Sequence, residues 1–315
     1  MKKYTSVNDI IHLPELIDET LLLKKDPLSF NKLGKNKTIV MLFFNPSLRT
    51  RLSTQKAAMN LGMQVMVMNI SNDGWVLEFE DGSIMNNTAA EHIKEAAQVV
   101  SQYCDILAIR AFASLTDKRE DYEEKVIEGF VKYATVPIVS LESATEHPLQ
   151  ALADALTITE YQNKPKPKVV LSWAPHPKAL PQAVANSFVK IMKLKGVDLV
   201  VTHPYGYELK EEIAKNVTIE YNQDKAFDNA DFIYTKNWSS YTEYGKVLTK
   251  DENWMITQNK MLLTNKAKFM HCLPVRRNVV VADEVLDSKN SLVIDQANNR
   301  TYAAQIILKK LLENA

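Results

Sequence analysis

Four short stretches hold most of the residues whose types could do chemistry. The first, Phe43-Phe44-Asn45-Pro46-Ser47-Leu48-Arg49-Thr50-Arg51, reads as a strand running into a helix. A helix N-terminus presents unbonded N–H groups and the positive end of the helix dipole, and Ser47, Arg49, Thr50 and Arg51 add donors that can converge on one anion. Taken alone, the stretch reads more readily as a serine N-cap followed by two solvated arginines. Second is Arg110, ending the apolar run Ile106-Leu107-Ala108-Ile109-Arg110. Third is His147-Pro148-Leu149-Gln150, just beyond Ile138-Val139-Ser140-Leu141-Glu142; a histidine by itself is more often a cap or core residue. The fourth, His271-Cys272-Leu273-Pro274-Val275-Arg276-Arg277-Asn278, follows a further apolar run. In open parallel sheets ligands bind beyond the carboxyl ends of the strands, and all four stretches follow such ends.

Composition narrows the chemistry. The chain has 7 Arg against 31 Lys, and six of the seven (49, 51, 110, 276, 277 and 300) lie in or beside these motifs. Surface charge is left to lysine, while arginine is kept where a planar bidentate donor matters, as on phosphate or carboxylate. With 38 basic and 38 acidic residues there is no net field to draw in nucleic acid or an anionic membrane. The two cysteines, 104 and 272, are too far apart in sequence for a CxxC zinc site, and no disulfide framework or metal site is expected. The eight glycines are never closer than eight positions, which excludes GxGxxG and GxxxxGK[ST]. A bilayer span needs ~20 apolar residues, far more than any run here, and Lys2-Lys3 leads into polar residues rather than a signal core. A cytoplasmic protein is expected.

Positioning these motifs requires strands that end at them. Apolar runs alternate with segments of helical period, the pattern of parallel sheets covered on both faces. The runs predict strands near 38–44, 65–70, 105–110 and 136–140, with helices near 50–61, 91–103 and 118–133. Thr88-Ala89-Ala90-Glu91 reads as a capping box starting the second helix. A helix near 148–162 runs into Lys164-Pro165-Lys166-Pro167-Lys168, where proline stops it and a domain boundary is expected. Beyond it, strands are predicted near 168–173, 198–202, 217–221, 231–235 and 268–271, and 298–314 is an amphipathic helix. At 315 residues, two domains are the default. A two-lobed binding protein or a dehydrogenase with a degenerate nucleotide site would share this α/β outline, and the missing glycines argue against the second.

Together, in order, the four motifs resemble those of the transcarbamoylase family: Ser-x-Arg-Thr-Arg, an arginine at a strand end, His-Pro-x-Gln, and His-Cys-Leu-Pro. The resemblance covers nearly the whole chain. It implies two doubly wound parallel-sheet domains of the aspartate/ornithine carbamoyltransferase fold, knotted in the N-acylornithine branch. Residues 1–147 would form the carbamoyl phosphate-binding domain, with a returning C-terminal helix at 298–315. Residues 148–163 would be an inter-domain helix and 164–297 the acylornithine-binding domain. By the same resemblance Ser47, Leu48, Arg49 and Thr50 would hold phosphate, with Trp75 entering from a neighbouring subunit of a homotrimer. Arg110, Thr50 and His147 would polarise the carbonyl, Gln150 and the Cys272-Leu273 backbone would orient the carbamoyl NH2, and Arg300 would help hold the electrophile. No cofactor is implied, and closure over the second substrate is expected to exclude water.

The second substrate follows from a departure. Ornithine enzymes of the family carry an Asp after the strand Ala-Asp-x-Ile-Tyr-Thr, to pair with the α-ammonium, and a later Ser-Met-Gly. Here Thr235 is followed by Lys236, and Ser-Met-Gly is absent. A cation there suits an α-carboxylate whose neighbouring nitrogen is an uncharged amide, as in an N-acylated ornithine. In that branch Glu142, His176, Lys178, Lys236, Leu273 and Arg276 would line the acylornithine pocket. The residue before Glu91-His92 reaches the acyl group across the interface; it is acidic in acetyl enzymes and proline in succinyl ones. Ala90 stands here, leaving space without charge, and tips the expectation to N-succinylornithine, with N-acetylornithine the alternative and N-succinylcitrulline, an arginine-biosynthesis intermediate, the product.

Overall fold

The computed structural model describes residues 1–314. The chain divides into two units: Met1–Leu149 with the segment from Arg300 onward, and Gln150–Asn299. In the first, β1 (Lys3–Tyr4), β2 (Thr38–Phe43), β3 (Gln64–Asn69), β6 (Ile106–Arg110) and β7 (Ile138–Glu142) form a sheet ordered β1-β7-β6-β2-β3, every pair parallel. A separate parallel pair joins β4 (Leu77–Glu78) to β5 (Glu91–His92). In the second unit, β8 (Lys168–Trp173), β9 (Asp198–Thr202), β10 (Thr218–Glu220), β11 (Phe232–Lys236) and β12 (Lys268–Met270) are ordered β10-β9-β8-β11-β12, again all parallel.

Each central strand is buried on both faces: Ile39 to Phe43, Ile106 to Arg110 and Val169 to Trp173 are buried throughout, which explains their unbroken apolar runs. The order then fixes where ligands can bind. In the first sheet the chain steps outward from β2 to β3, then returns to β6 on the other side of β2. In the second it steps from β8 out to β10, then returns to β11 on the other side of β8. A parallel sheet opens a crevice where its winding reverses. The crevices therefore lie beyond Phe43 and Arg110 in one unit and beyond Trp173 and Lys236 in the other.

Three local expectations are corrected. Glu91 does not close a capping box: it is in β5, its carboxylate accepts from Trp75 Nε1 at 2.9 Å, and His92 caps helix Ile93–Ser101 by accepting from the Lys94 amide. The expected single helix over 118–133 is two, Lys118–Tyr122 and Lys125–Tyr133, separated by Glu124 in the left-handed region at φ 53°. The C-terminal helix begins at Val293 rather than 298, and it changes unit at Arg300. Helix Pro148–Tyr161 belongs almost wholly to the second unit, because its polar face bonds there. Asp154 accepts from Gln296 at 2.7 Å and Thr157 from Asn299 at 2.9 Å. The proline-lysine segment, residues 164–168, is consequently a connection inside the second unit. Among the described residues no helix is long and apolar enough to cross a membrane.

Candidate active site

In the first unit, helix Leu48–Asn60 starts directly beyond β2 with Ser47 as its N-cap. The Ser47 backbone is extended and its hydroxyl bonds none of the helix amides. First-turn N–H groups and the hydroxyl thus remain for an external acceptor. Leu48, 67% exposed, can contribute only its backbone amide to such a ligand. Arg49 keeps a buried Nε with no protein partner. Thr50 is buried, and its hydroxyl accepts from Arg300 Nη2 at 2.6 Å, leaving its own proton to donate. Arg51 is engaged elsewhere, donating to Asn69 and lying over the Phe43 ring at 5.1 Å. The anion donors of this motif are therefore Ser47, Arg49 and Thr50.

Arg110 ends the neighbouring strand and is buried. Its Nη1 donates to the carbonyls of Asn45 and Pro46 at 3.0 and 2.9 Å, and its Nη2 to Glu142 Oε2 at 3.1 Å. The Phe112 ring lies 4.0 Å from the guanidinium carbon, a cation–π contact. Three bonds fix the guanidinium, while its buried Nε has no protein partner and stays a spare charged donor. Burial lowers the Arg110 pKa and Glu142 pulls it back up. His147 Nε2 lies 3.5 Å from the same Glu142 oxygen. Glu142, expected on the acylornithine, is thus in this unit and orders the two groups expected to polarise the carbonyl. Register explains the meeting, since Arg110 pairs with Glu142 across β6 and β7 where the ladder shifts by one residue. Sequence reading missed Asn45, whose carbonyl holds Arg110 and whose side chain accepts from the Phe112 amide at 2.6 Å.

In the second unit, Gln150 is buried and donates through Nε2 to Asp154 Oδ1 at 2.7 Å. That bond turns the amide nitrogen toward Asp154. Gln150 Oε1 then points away, buried and without a protein partner, as an acceptor suited to an N–H donor. The same Asp154 oxygen accepts from Gln296, whose Oε1 takes the His271 amide at 2.9 Å. His271 Nδ1 in turn accepts from the Leu273 amide at 2.9 Å. Leu273, at φ 56° beside buried Cys272, has a left-handed backbone that turns the chain sharply there. Gln150 and the Cys272-Leu273 backbone are thus joined through one polar network whose centre, Asp154, was not foreseen. Its spacing of four from Gln150 on a helix was the available signal.

Beyond β8 and β11 the charge is positive. Arg276 Nε donates to His176 Nε2 at 3.1 Å, and His176 Nδ1 lies 2.9 Å from the Lys178 carbonyl and 3.1 Å from the Lys178 amide nitrogen. Burial lowers the His176 pKa, with Lys236, Arg276 and Lys178 pushing the same way against the Lys178 carbonyl. The ring holds the arginine. His176 and Arg276 line a cavity of about 280 Å³ together with Lys250, Glu252 and Met255. The last three lie in the long loop after β11, which has no periodic signal in sequence. Trp75, 59% exposed, and Ala90 share the β4–β5 element, where the Ala90 amide donates to the Val76 carbonyl at 3.0 Å.

An anchored arginine beside a helix N-terminus at one switch point, and a basic pocket at another, define a two-unit α/β enzyme of the group-transfer kind. The chain belongs to the aspartate/ornithine carbamoyltransferase family: residues 2–160 match its carbamoyl-P binding domain and residues 181–311 its Asp/Orn binding domain. It is 50% identical over 315 residues to the N-succinylornithine carbamoyltransferase of Bacteroides thetaiotaomicron, covering 99% of each chain. Identity to the N-acetylornithine carbamoyltransferase of Xanthomonas campestris pv. campestris is 36% over 324 residues, covering 95% of this chain and 94% of that one. Among solved structures it is similar, with TM-score 0.94, 34% identity and coverage of 99% and 100%, to a glutamate-to-alanine variant of N-acetyl-L-ornithine transcarbamylase complexed with carbamyl phosphate and N-succinyl-L-norvaline.

Proposed function

We propose that the protein transfers the carbamoyl group of carbamoyl phosphate to the δ-amine of N-succinyl-L-ornithine, giving N-succinyl-L-citrulline and phosphate in arginine biosynthesis. The observation that carries the reading is Arg110, fixed by three bonds with a spare buried donor beside the open N-terminus of helix Leu48–Asn60. Ser47, Leu48, Arg49 and Thr50 hold the phosphate, Trp75 approaches it from a neighbouring subunit, and Arg300 fixes Thr50. Arg110, Thr50 and His147 meet the carbonyl oxygen, where charge grows as the amine adds. Gln150 Oε1 and the backbone of Cys272 and Leu273 accept from the carbamoyl NH2. The amine lone pair forms the new C–N bond, the C–O bond to phosphate breaks, and the strongly basic departing phosphate takes the amine's surplus proton. Neither a covalent intermediate nor a cofactor is required.

For the acyl substrate, Lys236, Arg276 and Lys178 around His176 supply cations for the carboxylates, with Glu142 and Leu273 the further residues assigned to that substrate. Succinyl is favoured by the higher identity to a succinylornithine enzyme than to an acetylornithine one. An uncharged Ala90 beside a dicarboxylate supports the same side. So does the relative that holds N-succinyl-L-norvaline once a glutamate is replaced by alanine. Exposed Met66, Met68, Trp75 and Val76 in the first unit support a homotrimer in which Trp75 and Ala90 reach a neighbour's site. A backbone knot is supported where the loop after β8 is bonded to that after β11, Ser239 N to the Leu180 carbonyl at 2.9 Å and Asn237 Nδ2 to the Ala174 carbonyl at 2.7 Å. The test is initial product formation from carbamoyl phosphate with N-succinylornithine, N-acetylornithine and ornithine in parallel. Succinyl preference is expected; no turnover with any acylated ornithine would overturn the reading.

A further inference from the structure

We propose that Glu124 is the positioning residue for His147, holding the turn that carries the histidine with a carboxylate planted in a break of the neighbouring helix. Residues 118–133 have the period of one helix, yet the helix stops and restarts at Glu124, whose φ 53° and ψ 40° are left-handed. Glycine or asparagine would satisfy that backbone more readily than glutamate. The side chain explains the exception. One Glu124 oxygen accepts from Ser143 Oγ at 2.6 Å, Thr145 N at 2.8 Å and Thr145 Oγ1 at 2.5 Å, and the other from Ala144 N at 3.2 Å. Four donors from three consecutive residues meet one carboxylate, which has only lone pairs to offer and needs no donor of its own satisfied. Strain in the backbone is thus retained where it places a charge.

Those three residues, with Glu146, separate Glu142 from His147. Their turn is closed by Ser143 N on the Glu146 carbonyl at 2.7 Å and Glu146 N on Ser143 Oγ at 3.1 Å. Before it, Glu142 holds Arg110; after it, His147 faces the same Glu142 oxygen at 3.5 Å. With both flanks committed to one cluster, the turn alone sets the distance between them. The preceding short helix does the same for the next loop: Asp121 accepts from Ser114 N at 2.8 Å and Leu115 N at 2.9 Å, in the turn after Arg110. The broken helix pair therefore fixes both loops that leave the site-bearing strand ends, Glu124 acting on the one that carries His147.

The inference rests on the role proposed for His147, and its test separates the two. Glu124→Gln is measured alone and combined with His147→Asn in the full-length enzyme. Gln supplies an N–H where Ala144 also donates, so the turn relaxes, and a displacement of about 1 Å in a polarising group can cost up to 10²-fold in rate. The expected result is a fall in kcat of about tenfold or more. The dissociation constant of inorganic phosphate should stay within about twofold, because Glu124 contacts none of the residues 47–50. In the His147→Asn background the added loss should be under about twofold, since two residues acting as a unit are not additive. Equal losses in both backgrounds, unchanged kcat, or a parallel loss of phosphate affinity would each overturn the proposal. Glu123→Gln, at an exposed residue paired with Arg119, should keep wild-type kcat. If Glu124→Gln does not fold, Thr145→Val removes one of the four donors; a fall of about threefold that vanishes in the His147→Asn background supports the proposal. An unchanged kcat there overturns it. Wild-type turnover by His147→Asn would overturn the catalytic reading itself, and this inference with it.

Discussion

Replacing Arg110 by methionine separates transition-state stabilisation from phosphate binding. The guanidinium makes three bonds to protein and leaves one buried donor spare. A preorganised donor aimed at a developing oxyanion is worth about 10²–10³ in kcat, or about 2.7–4 kcal/mol. Phosphate should lose far less, because Ser47, Arg49, Thr50 and the helix N-terminus are untouched; a tenfold weakening, about 1.4 kcal/mol, is the upper bound expected. There is also a cost in stability. Glu142 is 8% exposed and would lose its arginine, and breaking a buried pair from one side costs about 3–5 kcal/mol. Arg110→Met with Glu142→Gln should therefore melt well above Arg110→Met alone while turning over no faster. Steady-state kinetics, phosphate titration calorimetry and thermal unfolding on both variants form the assay. A folded Arg110→Met enzyme within threefold of wild-type kcat would refute the role. A kcat loss matched by an equal loss of phosphate affinity would refute it too, reducing Arg110 to an anion anchor.

Lys236→Ala should raise the acylornithine KM by about 10–100-fold, the loss of one charge-assisted bond of about 1.5–3 kcal/mol, with little change in kcat; unchanged saturation would return Lys236 to a structural role. Ala90→Glu should lower kcat/KM for N-succinylornithine relative to N-acetylornithine by roughly tenfold, since two carboxylates some 6 Å apart at an effective dielectric near 40 repel by about 1.4 kcal/mol; an unchanged ratio would show that other residues read the acyl group. Cys272→Ser should keep at least about a third of the rate, because the motif acts through backbone carbonyls; a hundredfold loss would give the thiol a part in the chemistry. His203 is buried and its pKa lies below the ordinary 6.5. The unfolded chain therefore binds the proton first, so stability is full above pH 6.5 and falls as pH drops below it. Urea midpoints between pH 7.5 and 5.5 should decline, and His203→Gln should flatten the slope; an unaltered slope would locate the titration elsewhere.

What sequence could and could not reveal follows from the range of the forces involved. Strand ends were legible because a strand buried on both faces must be apolar along its length, so Arg110 and Lys236 stand out as the first charged residues at the ends of such runs. The Ser47 loop was legible because helix termini have local chemistry. The pairing of Glu142 with Arg110 was not legible, because it depends on register between β6 and β7, 32 residues apart, and on a one-residue slip that no local pattern encodes. The false capping box at 88–91 arose from a correct local rule overruled by a cross-strand partner, Trp75 taking the Glu91 carboxylate. Glu124 failed in the opposite sense. Its neighbours favour continued helix, and only the unmet donors of a turn some 20 residues later make the break worthwhile. Both departures from local propensity occur beside groups assigned to the reaction, where the demands of the site outweigh those of the helix.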